Sequence, residues 1–279
     1  MTKENTQNDW NSFGRGNAGR RWRRQSAEMG SAATRALVEA CRVCSGMRVL
    51  DVACGNGEPA ISIAAALAGT GSVIGIDSAP EPLETARQRA AERGLANITF
   101  QQADAHALPF TDASFDLLTA RCALMFFAAP KKAIAEFARV LAPGGRAAFL
   151  CWGPFEQQPY FQATAGAILR AFPDLELPAS TRKMFCYAHP GPLAESLRAA
   201  GFCEAHEELI TLPWPWAGRA EEMWAFMQET TIPFRPLFEA VPEEQRARRD
   251  RAVLEALESY RDGDRLALTA TFNLTTALR

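Results

Sequence analysis

Val49-Leu50-Asp51-Val52-Ala53-Cys54-Gly55-Asn56-Gly57 is a short apolar run that holds one acid near its end and opens into a G-x-G turn. Val49, Leu50 and Val52 have the character of a strand covered on both faces, as in a buried parallel sheet. Glycines directly after such a strand let the backbone turn tightly and come against a ligand. A loop at the carboxyl end of the first strand of an open α/β sheet is where such folds bind ligands.

On both sides of this stretch, from Ala32 to about Phe149, helical and strand patterns alternate with short breaks, as in βαβ units. Strands are predicted over Arg48–Val52, Ser72–Ile76, Ile98–Gln102, Phe115–Ala120 and Ala147–Trp152. Helices are predicted over about Ala32–Arg42, about Pro82–Arg93 with a stop at Gly94, and about Lys131–Leu141 with a stop at Pro143-Gly144-Gly145. Beyond Trp152 comes a Pro- and aromatic-rich stretch, Gly153 to Pro190. A helix over Pro192–Ala200 follows, then a sixth strand over Ala205–Leu212, a charged helical segment from Ala220 to Tyr260, and a last strand over Arg265–Leu274. The expected fold is α/β: a Rossmann-like, doubly wound, seven-stranded and mostly parallel sheet with helical cap insertions. The expected organisation is an N-terminal arm or lid (1–31), a cofactor-binding core (32–153), a cap insertion (154–190), a core helix and strand (191–212), a helical cap insertion (213–263) and a last core strand (264–279).

The 279 residues are 48% hydrophobic and 22% charged, which suits one globular core with appended segments. A net charge of −2 supplies no field toward nucleic acid or an anionic membrane, so the expected partner is a small molecule. No apolar run reaches the roughly 18 to 20 residues a membrane span needs, and the stretch from Met1 to Arg24 is polar and then basic, so the expected location is the cytoplasm. Seven cysteines scattered through apolar stretches suit reduced, buried thiols; Cys41 and Cys44 form a C-x-x-C pair with no second pair and no neighbouring histidine, which points to packing and no metal site. All six tryptophans and all three tyrosines lie outside the span from Arg23 to Cys151. That segregation suggests an aromatic-lined chamber beside a generic core, or aromatics that merely glue the cap in place.

Three acids follow three successive strands: Asp51 in the first, Asp77 in Ile74-Gly75-Ile76-Asp77-Ser78, and Asp104 in Gln102-Ala103-Asp104-Ala105. A carboxylate at the position of Asp77 can accept from both hydroxyls of a ribose, which favours a nucleoside ligand. Asp104 could accept from an exocyclic adenine amine. Two cofactor types remain in competition. Ala60 in the third glycine position, and Asp77 about 20 residues beyond Gly57, are both compatible with a dinucleotide site. Asp51 would meet a dinucleotide's pyrophosphate with repulsion, whereas a ligand carrying an ammonium and a sulfonium would be favoured there. Asp51 could also simply cap a turn.

The glycine loop, Gly75-Ile76-Asp77, Ala103-Asp104-Ala105, Leu108-Pro109-Phe110, Phe115-Asp116-Leu117-Leu118 and Glu136-Phe137-Ala138-Arg139-Val140-Leu141-Ala142-Pro143-Gly144-Gly145 together resemble the class I methyltransferases that use S-adenosylmethionine (SAM). The resemblance is to the branch of ubiquinone and menaquinone biosynthesis C-methyltransferases and many small-molecule enzymes, and it covers about Ala32 to Trp152. It implies SAM as cofactor, with S-adenosylhomocysteine (SAH) as its product. It also implies that Asp51, Ala53, Gly55, Asn56 and Gly57 hold the methionine part, Asp77 the ribose with Ser78 beside it, Asp104 and Ala105 the adenine, and that Arg121 and Cys122 lie behind the sulfonium. Outside that span the likeness is architectural, so the acceptor stays open, with an apolar or aromatic small molecule suggested by the tryptophans.

Methyl transfer from SAM is an in-line displacement in which positioning and desolvation can supply much of the catalysis, though an O- or N-acceptor can need a base. His106 reads as a solvated loop residue, His189 as a cap residue that could serve as a base or acceptor contact, and His206 as structural, so no catalytic residue is assigned. Arg15, Arg20, Arg21, Arg23 and Arg24 around Trp22 read either as a solvated basic run or as a lid over cofactor and acceptor. The competing functions are an NAD-linked oxidoreductase on the same fold and a SAM-binding partner subunit without catalysis.

Overall fold

The computed structural model describes residues 23–279. The arm residues Trp10, Arg15, Arg20, Arg21 and Trp22, which carry most of the lid expectation, lie outside the described residues. Two helices come first, α1 (Arg23–Met29) and α2 (Ser31–Cys41). Then follow β1 (Arg48–Val52), α3 (Ala60–Ala66), β2 (Ser72–Asp77), α4 (Pro80–Glu92), β3 (Ile98–Gln102), β4 (Phe115–Arg121), α5 (Pro130–Val140) and β5 (Leu141–Trp152). The chain continues through α6 (Pro192–Ala199), β6 (Cys203–Pro213), β7 (Trp216–Ala217), α7 (Ala220–Thr230), α8 (Arg246–Glu258), β8 (Arg261–Asp262), β9 (Arg265–Leu266) and β10 (Thr269–Leu278).

The main sheet has seven strands in the order β3-β2-β1-β4-β5-β10-β6. β1 runs parallel to β2 and β4, β2 to β3, and β4 to β5. β10 is antiparallel to β5: Gly144 donates to the Arg279 carbonyl and Gly153 to that of Thr271, so one strand rises in number as the other falls. This is the expected α/β, mostly parallel, seven-stranded sheet. The chain winds from β1 outward to β3 and then returns to place β4 on the other side of β1. In open α/β sheets the point where the direction switches, here the carboxyl ends of β1 and β4, is where ligands bind.

The strand sequences explain their place. In β1 all residues but Arg48 are buried, as an interior parallel strand requires. Arg48 at its exposed start is gripped by Asp116, whose Oδ1 lies 2.7 Å from Nη2. On α5, Ile134, Phe137 and Val140 are fully buried at helical spacing. Its Arg139 donates to the carbonyls of Leu108 and Phe110, and Glu136 accepts from the amide of Leu108. The family-like Leu108-Pro109-Phe110 run is therefore pinned to α5 by one ion-paired arginine and glutamate.

Two sequence expectations are corrected in detail. α5 ends at Val140 and the strand begins at once with Leu141, so Pro143-Gly144-Gly145 sit inside β5, where the pairing with β4 shifts register between Phe115 and Leu117. The predicted last strand is broken: Arg265–Leu266 pairs antiparallel with β7 and β8 in a separate three-stranded sheet, and β10 runs on to Leu278. Separately, the stretch after Gly153 contains helix through residues 159–171 and at Ala179–Met184.

Contacts divide the chain into two compact units. One comprises Ala33–Cys151, His189–Leu209 and Asn273–Arg279; the other comprises the described residues up to Ala32 together with Trp152–Ala188 and Ile210–Phe272. Within the second unit Trp152 stacks on Tyr160 and Phe272, Trp214 meets it edge-on, and Phe161 stacks on Phe234 at 4.8 Å. Tyr160, Phe161, Trp214, Trp216, Trp224, Phe234 and Phe272 are all buried, so these aromatics build that unit's hydrophobic core.

Candidate cofactor site

Every residue predicted to touch a cofactor lies in the first unit, at the carboxyl ends of β1 to β4 or in the turns that follow them. Asp51 is fully buried in β1. The Thr119 hydroxyl of β4 donates to its Oδ1 at 2.7 Å and the Ala60 amide at the start of α3 donates to its Oδ2 at 3.1 Å. Burial pushes the carboxyl up to about 7, against the pull of those two bonds and of the Arg121 charge. Asp51 thus faces inward, caps α3 and joins β1 to β4.

The turn after β1 needs its glycines for two different reasons. Ala53, Gly55 and Gly57 have φ of +55°, +51° and +100°. A Cβ at Gly57 would stand 2.6 Å from Ile61 Cδ1 and 3.1 Å from Ala86 Cβ, so this glycine lets α3 and α4 close on the turn. A Cβ at Gly55 would meet no atom within 4 Å. Gly55 therefore borders open space, as a backbone meant to receive a ligand should.

Asp77 ends β2 with both carboxylate oxygens oriented by the backbone. The Gly55 amide donates to Oδ2 at 2.9 Å and the Ala79 amide to Oδ1 at 3.0 Å. Burial raises its pKa, opposed by the amides of Ala79, Gly55 and Ser78. A carboxylate offers about four acceptor sites, so with these amides in place the group keeps capacity to accept from a ligand hydroxyl. Ser78 beside it is exposed, and its carbonyl accepts from Gln102 Nε2. The Ala103 amide donates to the Asp77 carbonyl at 3.1 Å, which brings the turn after β3 alongside.

Asp104 in that turn is exposed, with half-buried Ala105 following it. Its Oδ1 accepts from the amide of His106 at 2.9 Å and lies 2.6 Å from His106 Nδ1. Partial burial raises the Asp104 carboxyl, but the His106 bonds and the Lys132 charge outweigh it and hold the group below its ordinary range. At the end of β4 the Arg121 guanidinium donates to Thr34 Oγ1 of α2 at 3.1 Å. Cys122 follows with a φ of +52°, its amide on the Leu150 carbonyl and its thiol pushed up to about 11 by burial.

Two contributors carry no sequence signal of their own. Arg89 of α4 donates to the Asn56 carbonyl and lies 3.0 Å from Glu58 Oε1, with both side chains less than a fifth exposed. Glu58 also accepts from the Ser62 hydroxyl at 2.6 Å. Asn56, exposed at the tip of the turn, is thereby held through its backbone from 33 residues away. The histidines divide differently from expectation. His106 is half-buried and bonded, not a freely solvated loop residue. His189 is exposed and belongs to the first unit, and His206 is exposed on β6, the edge strand.

Residues 44–157 match a family model described as a methyltransferase domain. A demethylmenaquinone methyltransferase of Thermus thermophilus is 40% identical over 134 residues, 48% of this chain and 55% of that protein. One of Deinococcus radiodurans is 35% identical over 197 residues, 66% of this chain and 74% of that protein. The chain spans about half the length of several curated relatives it matches. Among solved structures, a phosphoethanolamine N-methyltransferase of Haemonchus contortus, determined with phosphomonomethylethanolamine and SAH, superposes with a TM-score of 0.54 at 16% identity, covering 88% of this chain and 52% of that one. At that identity the likeness is one of fold.

Proposed function

The chain belongs to the methyltransferase family, and on that premise we propose that it binds SAM along the carboxyl edge of β1 to β4 and transfers its methyl group to a small acceptor molecule. The observation that carries the reading is the Asp77 carboxylate. It stands at the end of β2, oriented by two backbone amides, beside a glycine whose missing side chain leaves open space. That arrangement fits a ribose diol entering against a bare backbone.

The chemistry such a cofactor supplies is a methyl carbon already activated for in-line displacement. The chain's own residues then have binding and positioning tasks. Asp77 accepts the ribose hydroxyls. Asp104 Oδ2, which takes neither of the bonds from His106, accepts from the adenine amine. Asp51 is buried and acts through its field: ionised, it places a negative charge beneath a turn that receives a cationic ligand. Arg89 and Glu58 hold the turn in the conformation the ligand meets.

For the acceptor, the relatives named as demethylmenaquinone methyltransferases favour an apolar or aromatic small molecule. The near-neutral overall charge supports the same choice over nucleic acid. Among the described residues no helix is long and apolar enough to cross a membrane.

Thermal unfolding tests the reading against its competitors. At about 100 times its Kd, a ligand of the folded state adds about 2.7 kcal/mol, and each kcal/mol raises the midpoint by roughly 2–4 °C in a chain of this size. SAM and SAH are expected to raise the midpoint and NADH to leave it unchanged; the opposite pattern would establish the oxidoreductase. SAH release in the presence of apolar aromatic acceptors then separates an enzyme from a binding subunit.

A further inference from the structure

His106 is held at both ring nitrogens. Nδ1 lies 2.6 Å from Asp104 Oδ1, and Nε2 lies 3.3 Å from the amide of Ala129, the residue just before α5. A backbone amide can only donate, so Nε2 must be the accepting nitrogen and Nδ1 carries the proton that it donates to Asp104. The ring also lies edge-on to Phe127, with centroids 5.5 Å apart, and Phe127 in turn meets Phe137 of α5. Three contacts therefore fix the imidazole, and its own amide donates to the same Asp104 oxygen. Lys132, in the first turn of α5, adds a cationic charge that acts on Asp104.

An aspartate–histidine pair beside a reactive cofactor invites the reading of a general base. The geometry argues otherwise, because Nε2 is committed to Ala129 and could take a proton only by surrendering that bond. The effect of the pair falls on the carboxylate. With both bonds from His106 on Oδ1, the plane of the Asp104 carboxyl is set and Oδ2 is left to accept from a ligand.

We propose that His106 is a positioning residue that orients Asp104 to recognise the 6-amino group of the cofactor's purine, so that the pair selects an aminopurine over a 6-oxopurine. The inference rests on the SAM reading above. Without the imidazole, Asp104 is an exposed carboxylate on a short turn, free to rotate away. A 6-oxopurine would present a carbonyl to Oδ2 in place of an amine, and two acceptors would face each other.

The test is calorimetric titration of the full chain with SAH and with its 6-oxo analogue, S-inosylhomocysteine. His106→Phe keeps a ring against Phe127 and removes both nitrogens; His106→Asn keeps a donor near the Nδ1 position. The parent is expected to prefer SAH. His106→Phe is expected to weaken SAH about five- to tenfold while changing the inosine analogue less than about twofold, and His106→Asn to recover most of the SAH affinity. Equal losses for both ligands, or undiminished SAH binding by His106→Phe, would overturn the inference while leaving the cofactor reading standing. A parent that binds neither ligand would overturn both. Should His106→Phe fail to fold, His106→Leu, which also removes both nitrogens, is judged by the same outcomes.

Discussion

The amide of Gly55 donates to the carboxylate of Asp77 at 2.9 Å, joining the turn after β1 to the acid that ends β2. These residues are 22 positions apart, and the bond makes the glycine loop and Asp77 one preorganised element. A ligand that meets one meets the other in a fixed relation.

The two loop glycines should separate stability from binding. Gly57→Ala puts a methyl 2.6 Å from Ile61 Cδ1 at a φ of +100°, and strain plus overpacking should destabilise the fold by about 3 kcal/mol. Gly55→Ala meets no protein atom, so urea unfolding should register only about 1 kcal/mol for the left-handed backbone. Its methyl enters the ligand's space, and SAH affinity should fall about tenfold or more. Comparable binding losses without a stability difference would show that the two glycines have the same role.

Asp51 should leave a signature in the pH dependence of stability. Its carboxyl is raised from 3.8 to about 7 in the folded chain, so the folded state binds the proton more tightly than the unfolded one. That contribution is fully present below the unfolded value and is lost as pH rises from about 4 to about 7, a change on the order of a few kcal/mol. Asp51→Asn can still accept from Ala60 and donate to Thr119, so its unfolding midpoint should be flatter over that window and no lower than the parent's at pH 8. SAM affinity in the parent should rise as pH approaches about 7 and lose that rise in Asp51→Asn, as calorimetry across pH would record. A parent with flat stability from pH 4 to 7 would contradict this.

Arg89→Met should weaken cofactor binding through the turn. It removes the donor to the Asn56 carbonyl and the nearer of the two arginines on Glu58, leaving Arg93 at 3.6 Å, which should destabilise the chain by about 1–3 kcal/mol and raise the KM for SAM several-fold. In a double-mutant cycle, Glu58→Gln on the Arg89→Met background should cost much less than on the parent. Additive effects would mean that the pair does not act as a clamp.

How much of this was legible in the sequence follows the range of the interactions. β1 to β4 and the three acids at their ends announce themselves through short apolar runs and local turns. β5 was misjudged at its start because Pro143-Gly144-Gly145 reads locally as a helix stop. The structure carries those residues into the sheet through pairing with Arg279 at the far end of the chain. The break between Leu266 and Thr269 was invisible because two adjacent segments of similar composition join different sheets. Arg89 gave no signal at all, since an arginine on an amphipathic helix looks solvated until the fold brings Asn56 to it. Asp51 is legible as a candidate site residue, but its inward orientation depends on Thr119 of the neighbouring strand, 68 positions away.

Titration of the chain with SAH by calorimetry, beside the Asp77→Asn variant, bears most directly on the whole account. In Asp77→Asn only one oxygen remains to serve the amides of Gly55 and Ala79, and the charge facing the ribose is gone. The account predicts one molecule of SAH per chain for the parent and affinity at least about tenfold lower for the variant, with an unchanged circular dichroism spectrum. No heat of binding in the parent, or equal affinity in Asp77→Asn, would contradict it.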